Sequence, residues 1–108
     1  MTDSAPPEDL VALKTAWYAA RDHVHRVSGE QPAGQELTVP GFGRDAQPRP
    51  IRLFSDEQSA RLAAARSEEM RLAVELSRHP WRQAQPDRHK AERTVNDLAY
   101  TRWAGATS

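Results

Sequence analysis

The apolar positions of this chain fall into three stretches with helical spacing, separated by one segment that lacks it. From Leu10 the first stretch runs Leu10, Leu13, Trp17, Ala20, Val24 and Val27, with separations of 3, 4, 3, 4 and 3. That alternation keeps one helix face apolar and is the seam that two packed helices share. Ala12, Ala16 and Ala19 lie beside it and permit close approach. Pro6 and Pro7 followed by Glu8 and Asp9 mark the start, because proline tolerates a first turn and acids there meet the positive end of the helix dipole. Ser28 and Gly29 mark the end, Gly29 being suited to the left-handed terminal conformation. A first helix is predicted over about 8–28, with Asp22 and Arg26 able to pair on its wet side.

Residues 29–54 are different in kind, with four glycines and four prolines that forbid a continuous helix. Leu37 to Val39 and Ile51 to Phe54 are short apolar runs flanking Pro40-Gly41-Phe42-Gly43, a turn-prone sequence, so the arm can pair as a small hairpin. The alternative is an extended arm that Leu37, Val39, Phe42, Ile51, Leu53 and Phe54 pin across the helices. Ser55-Asp56-Glu57-Gln58 has the spacing of a capping box and opens a second helix, about 55–79. Its apolar face is broad, through Leu62, Ala65, Met70, Leu72, Ala73, Val74 and Leu76, and Pro80 stops it. Glu57 and Arg61 have a favourable spacing on its exposed side. After a connection that holds Trp81 between Pro80 and Pro86, Asp87 caps a third helix to about residue 104, with Ala91, Val95, Leu98, Ala99 and Trp103 on its face and Tyr100 at the edge. The expected fold is all-α: three helices, an irregular arm that can hold a hairpin, and a C-terminal helical hairpin. It forms a single domain over 1–108, with 1–6 and 105–108 frayed.

Composition changes the picture in one respect. Only 17 of 108 residues are Leu, Ile, Val or Phe, a fraction below that at which a chain usually closes a core unaided. The net charge of +0 removes the self-repulsion that would make such a chain disordered. A folded protein that leans on a partner or a second copy is the expectation. There is no cysteine, hence no disulfide framework, thiolate nucleophile or Cys-ligated zinc. Residues 1–10 hold no apolar run of a signal peptide, and no stretch approaches a membrane span, so a cytoplasmic protein without membrane contact is expected. Thirteen Arg against two Lys, with alanine the commonest residue, suggests a GC-rich bacterial genome such as an actinobacterium's.

Candidate chemistry is sparse. His23 and His25 are two apart and diverge on a helix, and Glu75 with His79 is a two-ligand fragment without a second motif, so no metal site is expected. No Gly-x-Ser-x-Gly elbow or nucleotide loop is present, and Glu68 and Glu69 diverge as a solvated face. Neither catalytic residues nor a cofactor are assigned. An enzyme would need a deep polar pocket of converging titratable groups. Residues 78–108 hold six basic and three acidic groups. There Arg78, Arg82, Arg88, Lys90, Arg93 and Arg102 are interspersed with Trp81, Tyr100 and Trp103, which could track a phosphate backbone. Against that, Arg88 and Arg93 can pair with Glu92 and Asp97, Trp103 lies on the apolar face, and the 79–86 connection is longer than a helix-turn-helix turn.

Trp17 and Tyr18 project about 100° apart and cannot both centre on one buried face. Trp81 either contacts a partner or plugs the end of the helical hairpin. Tryptophan, tyrosine and arginine dominate binding energy at contacts. The candidate partner-binding residues are therefore Trp17, Tyr18, Arg78, Trp81 and Arg82. Those for nucleic acid are Arg78, Arg82, Arg88, Lys90 and Arg93. The expected function is a non-enzymatic interaction or regulatory accessory protein, one able to self-associate, whose partner is another protein or a second copy. A nucleic-acid-binding regulator is the alternative, and a small enzyme the third.

Overall fold

The computed structural model describes residues 5–44 and 46–107. Its elements are α1 (Glu8–Ser28), β1 (Glu36–Val39), β2 (Arg49–Arg52), α2 (Asp56–Ser77), a short α3 (Pro80–Ala84) and α4 (Arg88–Thr107). The three long helices and the small hairpin are those the sequence predicts. The five-residue α3 is an addition within the connection. Of the ends expected to fray, 1–4 and 108 lie outside the described residues, Ala5 to Pro7 precede α1, and α4 runs to Thr107.

Helix α1 is the support for the other two, since α2 and α4 both pack along it. The predicted seam is buried or half-buried at every position from Leu10 to Val27. A second stripe lies beside it, with Val11 buried and Lys14 and Tyr18 half-buried. On this side Tyr18 meets Tyr100 and Trp103 of α4, with ring centroids 5.6 and 6.0 Å away. Three helices converge on Leu10, which is 0% exposed and clusters with Leu76 of α2 and Val95 of α4. Leu13, Trp17 and Trp81 pack around that cluster.

The buried face of α2 is as broad as predicted except at Met70, with Ala73 and Val74 half-buried beside a central seam. Gln58, Leu62, Ala65, Glu69, Leu72 and Leu76 are buried or half-buried, with separations of 4, 3, 4, 3 and 4. Met70 lies off this seam and is 65% exposed, because α1 is the one helix that covers α2 along its length. In α4 the covered residues are Ala91, Val95 and Ala99, while Leu98 and Tyr100 turn outward.

The hairpin is realised instead of the pinned arm. Antiparallel β1 and β2 pair Glu36 with Arg52, Leu37 with Ile51, Thr38 with Pro50, and Val39 with Arg49. Neither strand packs on a helix as the helices pack on each other, and Phe42 near the tip is 95% exposed. Gly43 turns the loop with φ +94. At the base, the Gly34 N–H donates to the Leu53 carbonyl at 2.7 Å, and a Cβ on Gly34 would lie 2.5 Å from the Phe54 carbonyl oxygen.

Polar contacts join the hairpin to the helices. Ser55 and Gln58 form the predicted capping box. The Gln58 side chain, only 5% exposed, does more than cap. Its Oε1 accepts from the Ser55 and Ala33 N–H groups at 2.9 and 2.8 Å, and its Nε2 donates to the Gln31 carbonyl at 2.8 Å. Arg61 turns from Glu57 to make a two-pronged pair with Glu30 at 2.6 and 2.8 Å. This clamp sets how the chain leaves α1. Gly29 stays right-handed (φ −89, ψ 0) instead of adopting the left-handed cap expected of it, and its N–H donates to the His25 carbonyl. The anticipated Asp22–Arg26 pair forms at 2.8 Å.

The resulting body is long. Its radius of gyration is 20.3 Å with extents of 69 × 30 × 27 Å, where a compact chain of this length would have roughly 13 Å. Two substitutions test the clamp and the hairpin base. Gln58→Ala strands the Ala33 and Ser55 N–H groups and should lower unfolding stability by about 2 kcal/mol or more in urea titration. Gly34→Ala forces backbone apart and should cost roughly 1–3 kcal/mol, with amide exchange accelerating first across 34–53.

Candidate functional site

The strongest candidate site lies where α3, the start of α4 and the residues before α1 meet. His79 caps α3: its Nδ1 accepts the Trp81 N–H at 3.2 Å, which leaves Nε2 to carry the proton and face the Asp9 carboxylate at 3.0 Å. Pro80 suits the first turn of α3. Gln85 Nε2 donates to the Trp81 carbonyl at 3.2 Å, and Arg82 reaches Glu92 of α4 at 2.9 Å. Asp87 begins α4 as predicted, its Oδ1 accepting the Lys90 N–H at 3.1 Å. These bonds fix Trp81 with one side against the Leu10 cluster. Its other side lines a groove of about 320 Å³ with Pro6, Gln85, Lys90, Thr94 and Leu98. Leu98 is 48% exposed, and the buried Trp81 indole N–H has no acceptor among the described residues.

Other expected site residues are dispersed. Trp17 lies on the seam and Tyr18 on the stripe beside it, both half-buried, with their rings edge to face at 5.3 Å in a cluster with Tyr100 and Trp103. Lys14 Nζ lies 4.2 Å from the Trp17 ring centre, with Arg21 on the same ring at 5.4 Å. Burial pushes the Lys14 amine below its ordinary value, opposed by the Glu92 charge, and pushes the Tyr18 hydroxyl up. Arg78 lines a separate depression on α2. Arg82 and Arg88 border a third. Only Trp81 and Lys90, one from each expected set, share the groove.

Of the six cations in the C-terminal quarter, Arg82 pairs with Glu92, the acid expected to pair within α4, and Arg102 pairs with Glu8 at 2.5 and 3.0 Å. Arg78, Arg88 and Arg93 make no ion pair among the described residues. His79 faces Asp9 and Glu75 faces Arg71 at 2.7 Å. Among the described residues no three His, Asp or Glu side chains gather as a metal site, and no helix is long and apolar enough to cross a membrane. Leu98 and Pro6 were not assigned to a site from the sequence. Leu98 sits one position from the buried Ala99 and reads as core by period alone. Pro6 reads as a helix start.

Residues 9–101 match a family described as a domain of unknown function, DUF8825. No curated protein matches the chain, and no solved structure does.

The bonds that close this end of the molecule are acid-sensitive. Hydrogen bonding to the Arg102 guanidinium holds the Glu8 carboxyl below its ordinary 4.5, and the hydrogen bond to His79 holds Asp9 below 3.8. Groups lowered in the folded state contribute stability that is complete above those ordinary values and lost as pH falls through the lowered ones. The melting temperature should therefore decline as pH drops below about 4.5, and Glu8→Gln with Asp9→Asn should flatten that decline. An equally steep decline in the double variant would assign the acid sensitivity elsewhere.

Proposed function

We propose that this chain, which belongs to the DUF8825 family, is a non-enzymatic interaction or regulatory accessory protein whose partner-binding site is the Trp81–Leu98 groove. One observation carries the reading. A preformed concavity of about 320 Å³ is lined by the half-buried Trp81 indole and by Leu98, which the fold leaves 48% exposed. Its size is at the lower end of those that take a small ligand, and fits an apolar side chain of a partner segment. Apolar anchors in such pockets supply most of the energy of a protein contact. Lys90 and Asp87 on the rim give that segment polar contacts for register.

The nucleic-acid alternative has less support. Arg82 and Arg102 are neutralised by Glu92 and Glu8, and Tyr100 and Trp103 are engaged with each other and with Tyr18. Arg78, Arg88 and Arg93 are what remains for phosphate.

Affinity purification of the tagged chain from its native host, with mass measurement, should recover a partner protein. Leu98→Glu should reduce that recovery roughly tenfold or more by burying an unpaired charge, without loss of helical circular dichroism. Equal recovery with the variant, or a chain that comes down alone, would refute the groove. Duplex DNA should give no complex at any salt concentration. A complex whose log affinity falls with log salt at a slope of about −3 would instead place the three unpaired arginines on phosphates.

A further inference from the structure

Helix α2 carries a second line of residues on the side turned away from the seam that α1 covers. Ala63, Ser67, Met70, Val74 and Ser77 recur with separations of 4, 3, 4 and 3, the spacing taken up by another helix. Met70 stands out from this line, 65% exposed, between two open depressions of about 620 and 450 Å³. One continues along α2 past Arg71 and Val74. The other opens toward α1 beside Arg21 and Val24. A protruding side chain with a hollow on each side is the form of a knob that lacks its facing helix.

Charge identifies the helix that fits. Glu57 and Arg78 stand at opposite ends of α2, 21 residues and thus three heptads apart, on one flank of this line. Neither side chain makes an ion pair among the described residues. Two α2 helices laid antiparallel, with Met70 of each over Ser67 of the other, bring Arg78 of each copy opposite Glu57 of its mate. Symmetry makes that pair twice. In the same register Arg71 faces Ala64 and Arg66 faces Ala73, so no like charges oppose. A parallel arrangement sets Arg66 against Arg71 and is repulsive. The helix of 22 residues is about 33 Å long, which gives the contact several turns.

We propose that this face of α2 is a two-fold interface with a second copy of the chain, antiparallel and centred between Ser67 and Met70. The proposal rests on the reading of the chain as an interaction protein that is incomplete alone, but it uses a surface separate from the Trp81 groove.

Sedimentation equilibrium of the full chain at concentrations up to about 1 mM should show a monomer–dimer equilibrium. Met70→Glu should weaken it roughly tenfold or more while helical circular dichroism is retained. Arg78→Glu should weaken it roughly fivefold, and adding Glu57→Arg should restore it, since the swap rebuilds both pairs with reversed sign. The swap keeps the test intact should Met70→Glu fail to fold. A wild-type chain that stays monomeric throughout, a dimer indifferent to Met70→Glu, or a swap that does not rescue would each overturn the proposal. None of these bears on the groove, which Leu98→Glu tests on its own. A dimer broken by Leu98→Glu and untouched at Met70 would move self-association to the groove and overturn the α2 interface.

Discussion

Three helices meet on one side chain. Leu10 is completely removed from water and clusters with Leu76 at the C-terminal end of α2 and Val95 in the first half of α4, and the remaining architecture follows from having so little apolar surface to place there. With α1 in the middle, α2 and α4 each bury one stripe against it and leave their other faces to solvent. A chain richer in large aliphatic residues would wrap a third layer over those faces. This one stretches to 69 Å instead.

What apolar burial does not supply, polar contacts at the ends partly do. At one end Gln58 and the Glu30–Arg61 pair fasten the hairpin base to both α1 and α2. At the other, Glu8 holds Arg102 and Asp9 holds His79, so the first turn of α1 is tied to α4 and to the cap of α3. The two kinds of contact differ in value. Surface ion pairs of this sort contribute up to about 1 kcal/mol each and are screened by salt, whereas the buried Gln58 amide bonds the Ala33 and Ser55 N–H groups and the Gln31 carbonyl at once. The first set tunes the stability of the closed end with pH. The second decides whether the hairpin has a fixed base.

Two surfaces are left over, and they are of different character. The groove beside Trp81 is concave and apolar, placed where three segments converge. The Met70 face of α2 is a nearly straight line of knobs and hollows flanked by charge. They share no lining residue, so the proposed self-contact and the proposed partner contact use different side chains. The hairpin tip with Phe42 is a further exposed feature, and its isolated two strands are of a kind that is marginal in water without a covering layer.

Local rules carried most of the secondary structure. The Leu10 to Val27 period, the Ser55–Gln58 capping box, the Asp87 cap and the Asp22–Arg26 pair all depend on neighbours within about one turn, and such interactions are readable from residue order. The shortage of aliphatic side chains was equally legible and anticipated the open faces. Tertiary placement decided the rest. Whether Met70 and Leu98 were core or surface depended on how many helices cover α2 and α4, which periodicity does not report. Arg61 pairs with Glu30 and not Glu57, and Glu92 with Arg82 and not a neighbour on α4, because folding brings within reach a partner from another element that residue order does not show. The Trp81 groove belongs to this second class: its walls come from residues as far apart as Pro6 and Leu98, and no spacing along the chain encodes a hollow that exists only once those segments have met.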